Sequence, residues 1–233
     1  MSLLLHKSGG IVVAPLLLAD SKFIMAGLSV TALSKHFPPA VCALRHVEFD
    51  LAGGSVGCIS GENGAGKSTV LRCCAGILRP TQGTIRTVDS STIAQLGGIA
   101  YLGEADYLYA EATVAENIML VGQLMHRAPS DIRAIAELWE IMPWWQRICA
   151  TLSFGQRRRV ALARAWIVGE RLLCVDEPLR GLDLQGVACF TRAVTDHAAR
   201  GGGVLLAAQS REQFPDIIQR HWVLRDGILN EDS

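Results

Sequence analysis

The sequence predicts an α/β fold whose buried strands surround a single phosphate-binding loop, and three observations predict it. Residues 61–69 read Gly-Glu-Asn-Gly-Ala-Gly-Lys-Ser-Thr, the spacing G-x-x-x-x-G-K-[ST]. A short apolar run, Val56-Gly57-Cys58-Ile59-Ser60, precedes it, and residues 70–78 follow with helical rather than alternating character. Two later apolar runs, at 172–175 and 203–208, end in polar pairs, Asp176-Glu177 and Gln209-Ser210. Buried parallel strands read this way, and ligands bind beyond their carboxyl ends.

Taken in order, residues 28–33 and 44–51 suggest two strands, and Ala52-Gly53-Gly54-Ser55 turns the chain into the buried strand before the loop. After the first helix, Pro80-Thr81-Gln82-Gly83 leads into a strand at 84–88, and 99–102 forms the next, delivering Gly103-Glu104 at its end. Residues 114–145 read as helical with breaks at Pro129 and Pro143, and Pro129-Ser130-Asp131 begins the second of these helices. Trp139, Trp144 and Trp145 belong to a core or a subunit interface rather than to a functional aromatic box. A second long helix opens at Ser153, a residue type that caps helices. Arg157, Arg158 and Arg159 then fall in its first turns, where the helix dipole disfavours positive charge, so an anion is expected there, the alternative being a plain solvated basic face. A helix over about 184–199 and a late strand and turn at 222–227 complete the pattern. No second phosphate loop and no internal repeat occurs, so one catalytic unit is expected.

Composition narrows the function. The 233 residues carry 22 basic and 22 acidic side chains, which gives no electrostatic case for a nucleic-acid partner, and none is expected. The seven cysteines are scattered, include no C-x-x-C, and mostly lie in apolar runs, as reduced packed cysteines do. Residues 1–27 form an N-terminal extension: their apolar stretch is interrupted by Pro15, Asp20 and Lys22 and is too short to span a membrane. An added edge strand suits them better than a secretory signal.

The chemistry follows from residue types. Gly61, Gly64 and Gly66 let the backbone turn so that the N–H groups around Glu62, Asn63, Ala65 and Thr69 and the following helix N-terminus converge on one anion. Lys67 would reach the terminal phosphates of a nucleotide, and Ser68 would coordinate Mg2+. Asp176 would hold that metal and its water, while Glu177 would orient or deprotonate an attacking water.

The order of residues 61–69, then Leu152-Ser153-Phe154-Gly155-Gln156, then an apolar strand with Asp176-Glu177, resembles the nucleotide-binding subunits of ATP-binding-cassette (ABC) transporters. The resemblance runs from about Leu28 to about Asn230. It implies a P-loop NTPase fold of ABC type at 28–233: a mixed sheet core, an antiparallel β subdomain, and a helical subdomain inserted at about 107–169. It implies ATP and Mg2+, a second copy of the chain or a related ATP-binding subunit, and an integral membrane subunit at the cytoplasmic face of the cell membrane. Ser153, Gly155 and Gln156 would then act on ATP bound by the partner, giving the cationic helix start its phosphate. Phe37 matches the adenine-stacking aromatic of the family, although a core phenylalanine fits it nearly as well. Glu104 falls at the family's metal-contacting glutamine, and Gln209 replaces the histidine that touches the γ-phosphate. Phe154 replaces a small residue. Residues 156–164 and 181–188 look most like the CcmA-type subunits of cytochrome c maturation, which implies haem export or haem-chaperone release with a CcmB-like partner. The alternatives are an exporter ATPase for another substrate and a weakly hydrolysing regulatory module, the latter favoured by Gln209 and Glu104 and opposed by Glu177.

Overall fold

The computed structural model describes residues 27–87, 99–168, 171–214 and 216–232. The extension read at residues 1–27 lies outside them except for its last residue. Two sheets organise the chain. β1 (Leu28–Phe37), β2 (Val41–Leu51) and β4 (Gln82–Thr87) form an antiparallel sheet in the order β2-β1-β4. The second sheet has the order β5-β6-β7-β3-β8-β9, built from β3 (Val56–Ser60), β5 (Ile99–Leu102), β6 (Leu172–Asp176), β7 (Gly203–Ala208), β8 (Arg220–Arg225) and β9 (Ile228–Glu231). Its pairs are parallel except β8 with β9.

β3, β5, β6 and β7 are buried at every residue because both faces of this sheet are covered, so their sequences run apolar without alternation. The side chains still alternate between two cores. Val56, Cys58, Val175 and Leu206 face α2 (Val114–Leu124), α3 (Pro129–Leu138), α4 (Phe154–Val168) and α5 (Leu184–Ala199). Ile59, Cys174 and Leu205 face α1 (Lys67–Cys74) and the antiparallel sheet. This is the P-loop NTPase fold of ABC type, with α2 to α4 inserted between β5 and β6.

The elements follow local signals closely. α3 carries Pro129 in its first turn, where a missing N–H costs nothing. α2 is closed by a capping box in which Thr113 and Glu116 satisfy each other's backbone N–H groups. α1 is shorter than its apolar run suggests and ends at Cys74, because Gly76 adopts φ 71° and turns the chain out of the helix. β9 was not anticipated: Asp226 and Gly227, at φ 49° and 77°, make a tight hairpin turn that folds Ile228–Glu231 back on β8.

Trp139 is fully buried, with its ring centroid 5.1 Å from that of Trp166 and 6.5 Å from that of Phe190. Met142, Trp144 and Trp145 are half-buried against the same core. All seven cysteines are free and all but Cys42 are buried, as their apolar contexts predicted. Among the described residues no helix is long and apolar enough to cross a membrane.

Candidate functional site

The phosphate loop joins the buried end of β3 to the start of α1. Two of its glycines are dictated by close packing. Gly61 lies at φ 151°, and a Cβ there would sit 2.3 Å from the Leu224 carbonyl oxygen. Gly66 lies at φ 108°, and a Cβ there would sit 2.7 Å from the Ala43 oxygen. α1 begins with no side-chain cap and no acidic residue in its first turn, so its N-terminal N–H groups remain open to an anion. Lys67 is buried, and its Nζ donates to the loop's own carbonyls, Gly61 O at 2.7 Å and Glu62 O at 3.0 Å.

Asp176 is buried at the carboxyl end of β6, and the hydrogen bond it accepts from the Tyr101 hydroxyl is long, 3.4 Å. A buried carboxylate so weakly partnered suits a cation. Glu177 follows at φ 45°, its N–H donating to Ala207 O at 2.9 Å. Burial raises its carboxyl above the ordinary value, and the nearby Lys67 ammonium opposes that rise. Among the described residues no three His, Cys, Asp or Glu side chains gather into a metal cluster. Ser68 and Asp176 are hard oxygen donors of the kind Mg2+ takes alongside phosphate oxygens. The residues present therefore fit both an anion and its metal.

Gln209 stands exposed just beyond β7 and lines an open depression of about 1000 Å3 together with residues 61–65 of the loop. The structure thus gathers residues 61–69, Asp176, Glu177 and Gln209 at the carboxyl ends of adjacent strands. Phe37, at the end of β1, is half-buried and belongs to neither core; the Lys35 Nζ lies 5.1 Å from its ring centroid. Glu104 forms an ion pair with Arg180, and both side chains are more than half exposed, so its carboxylate is engaged by a cationic side chain.

Ser153 and Gln156 cap α4 reciprocally: the Ser153 N–H donates to Gln156 Oε1 at 3.0 Å, and the Gln156 N–H to Ser153 Oγ at 3.2 Å. The half-exposed Phe154 ring lies against Gly181, where a Cβ would approach it to 2.1 Å. Gly155 is equally tight, since a Cβ there would sit 2.5 Å from the Gly181 oxygen.

The three arginines correct the sequence expectation that they await an anion. Arg157 pairs with Asp106 at 3.2 Å and donates to Leu152 O at 2.8 Å. Arg159 is buried between Asp183 at 2.6 Å, Glu140 at 3.7 Å and the face of Trp144. Arg158 is buried and donates to four main-chain carbonyls, those of Gly103, Glu104, Asp176 and Glu177. Intrachain acceptors distant in sequence thus offset the unfavourable dipole. A second arrangement also escaped sequence reading. Ser60 Oγ lies 2.8 Å from His221 Nε2, whose Nδ1 lies 2.9 Å from Asp232 Oδ2, tying the base of the loop to the strand pair β8–β9. Nothing in the sequence marks it, because it depends on β3 pairing with β8.

The family model described as ABC transporter matches residues 44–180. This chain belongs to the ABC transporter family. Within it the chain is an ATP-binding and ATP-hydrolysing subunit, and the fold implies binding of ATP and Mg2+. It is 37% identical over 161 residues to the cytochrome c biogenesis ATP-binding export protein CcmA of Rhodopseudomonas palustris, covering 69% of this chain and 80% of that protein. It is also 32% identical over 214 residues to a ribose import ATP-binding protein, RbsA 2, of Rhizobium etli, covering 86% of this chain and 42% of that longer protein. Among solved structures, an ATP-binding subunit of an ABC transporter superposes with a TM-score of 0.79 at 23% identity, over 88% of this chain and 89% of that one. A dimeric bacterial ABC transporter cassette does so with 0.77 at 21% identity, over 88% and 98%.

Proposed function

We propose that this subunit energises haem export, or release of a haem chaperone, in cytochrome c biogenesis. It would work as a dimer beneath a CcmB-like membrane subunit, peripheral to the cytoplasmic face of the cell membrane. The observation that carries this reading is the similarity to CcmA proteins, which reaches 37% identity over 80% of the one from Rhodopseudomonas palustris. The test is complementation: expressed in cells lacking CcmA, the chain is expected to restore covalent haem attachment to c-type cytochromes. Restored transport of a sugar with no gain in c-type cytochromes would overturn it in favour of an importer. The similarity to ribose import proteins over 86% of the chain favours that second reading.

In the proposed site, residues 61–69 cradle the phosphates, with Lys67 on the β- and γ-phosphates and Ser68 and Asp176 holding Mg2+. The metal supplies charge neutralisation at the phosphate oxygens. Glu177 takes the proton from the attacking water, a role suited to a carboxylate whose burial makes it a stronger base. Gln209 donates one hydrogen bond towards the γ-phosphate but, unlike histidine, cannot carry charge. Ser153, Gly155 and Gln156 close on the ATP of the other protomer, Phe37 stacks on adenine, and Glu104, once released from Arg180, would help to hold the metal.

A further inference from the structure

We infer that Arg158 is a positioning residue for ATP hydrolysis: it holds Glu177 in its left-handed backbone conformation and locks it to the segment that follows β5. The inference rests on Glu177 as the base and adds a residue through which that base is aimed.

The geometry carries it. Arg158 is 2% exposed, in the first turns of α4. One terminal nitrogen, Nη2, donates to Asp176 O at 2.8 Å and Glu177 O at 3.0 Å; the other, Nη1, donates to Gly103 O at 2.7 Å and Glu104 O at 3.3 Å. A guanidinium is planar and its donors diverge in a fixed fork, so the two carbonyl pairs cannot shift independently while both remain bonded. One side chain thus fixes the relative placement of α4, the end of β5 and the end of β6.

Glu177 needs such a hold. At φ 45° it occupies a region that side chains with a Cβ adopt reluctantly and keep only when the surroundings over-determine it. Its N–H is tied to Ala207 O at 2.9 Å, and its carbonyl accepts from Arg158 and, at 3.3 Å, from the Arg180 N–H. Relaxation of this peptide would swing the carboxylate away from the Lys67 ammonium that it lies near. The hydrogen bonds of Arg158 among the described residues all go to main-chain oxygens while its buried Nε has no partner among them, and the nearby Asp176, Asp106 and Glu177 carboxylates favour its charge. An apolar side chain of similar length would fill the space but leave these main-chain carbonyls without this donor, so a purely structural role predicts lost stability, whereas the positioning role predicts a rate loss that depends on Glu177.

The test is a double-mutant cycle in the full chain, read by single-turnover hydrolysis and by ATP affinity measured without Mg2+. Arg158→Met is expected to slow hydrolysis about ten- to a hundredfold while the Kd for metal-free ATP stays within about threefold, because the phosphate loop is not among its contacts, whereas the main chain of the metal-holding Asp176 is. In a Glu177→Gln background the same substitution is expected to cost less than about threefold, since a misplaced base matters only where there is a base. Equal losses in the two backgrounds, or a Kd that rises in step with the rate loss, would overturn the inference. Should Arg158→Met fail to fold, Arg158→Lys carries the same cycle. Lysine keeps the charge but gathers its donors on one nitrogen that cannot span both carbonyl pairs, so a partial, non-additive loss is expected; a wild-type rate in Arg158→Lys would also overturn the inference. If Glu177→Gln alone hydrolysed ATP normally, the base assignment would fall and this inference with it. A normal Glu177→Gln defect with additive Arg158 losses would remove the inference alone.

Discussion

Replacing Lys67 by alanine should produce two separable losses, because this lysine has partners even without nucleotide. Its Nζ donates to Gly61 O at 2.7 Å and Glu62 O at 3.0 Å, holding the loop against its own helix. Charge-assisted hydrogen bonds are worth about 1.5–3 kcal/mol each, but Glu62 is exposed and its carbonyl can turn to water, so a net loss of about 2 kcal/mol is expected. For a chain of this size that lowers Tm by about 4–8 °C. The nucleotide term is larger. Without the ammonium, the β- and γ-phosphates lose their principal fixed cation, and breaking a buried charge pair costs about 3–5 kcal/mol. Each 1.4 kcal/mol is tenfold, so affinity for Mg-ATP should weaken by more than about a hundredfold. Titration with a fluorescent ATP analogue in the presence of Mg2+, beside thermal melts of the same samples, separates the two losses. An affinity within about threefold of wild type would refute the reasoning, however much Tm had moved.

Two other outcomes follow from the site and its surroundings. Gln209→His in preformed dimers should accelerate single-turnover hydrolysis about ten- to thirtyfold without changing ATP affinity, since a cationic donor beside the γ-phosphate is worth about 1.4–2 kcal/mol more than a neutral one; an unchanged or slower chemical step contradicts it. Asp183→Ala removes the acceptor for the Gly186 N–H at the start of α5, at a cost of about 1–2 kcal/mol, and takes from the buried Arg159 its nearest carboxylate, which adds to the loss. That N–H holds the Asp183 carboxyl below its ordinary value of 3.8, with Arg159 adding to the effect. Its contribution is therefore fully present above pH 3.8 and lost as the pH falls through the lower folded value. The Tm gap to wild type should be open at pH 7 and close in stronger acid; a gap that stays constant contradicts it.

Much of the fold was legible because its strands are buried on both faces and its helices carry local stops. β3, β5 and α5 span the residues their apolar runs and turn residues marked, and Pro129 began α3 as its chemistry requires. The phosphate loop and the Asp176-Glu177 pair could be read because their function depends on contiguous spacing. What escaped depends on register between distant segments. Ser60 and His221 are 161 positions apart and meet only because β3 lies beside β8. The arginines at the start of α4 looked unpartnered for the same reason: Asp106, Asp183 and the carbonyls of residues 103, 104, 176 and 177 reach them only through the tertiary fold. Glu104 could be placed at the end of β5, but its pairing with Arg180 could not.

The central claim is that this site hydrolyses ATP with Glu177 as the base, and single-turnover hydrolysis by Glu177→Gln tests it most directly. The amide keeps the shape of the carboxylate and removes the basic oxygen, and a positioned general base contributes about 10^2–10^4-fold to rate. The account predicts near wild-type Mg-ATP affinity with hydrolysis slowed at least about a hundredfold. A Glu177→Gln protein that binds ATP and turns it over at the wild-type rate would contradict it.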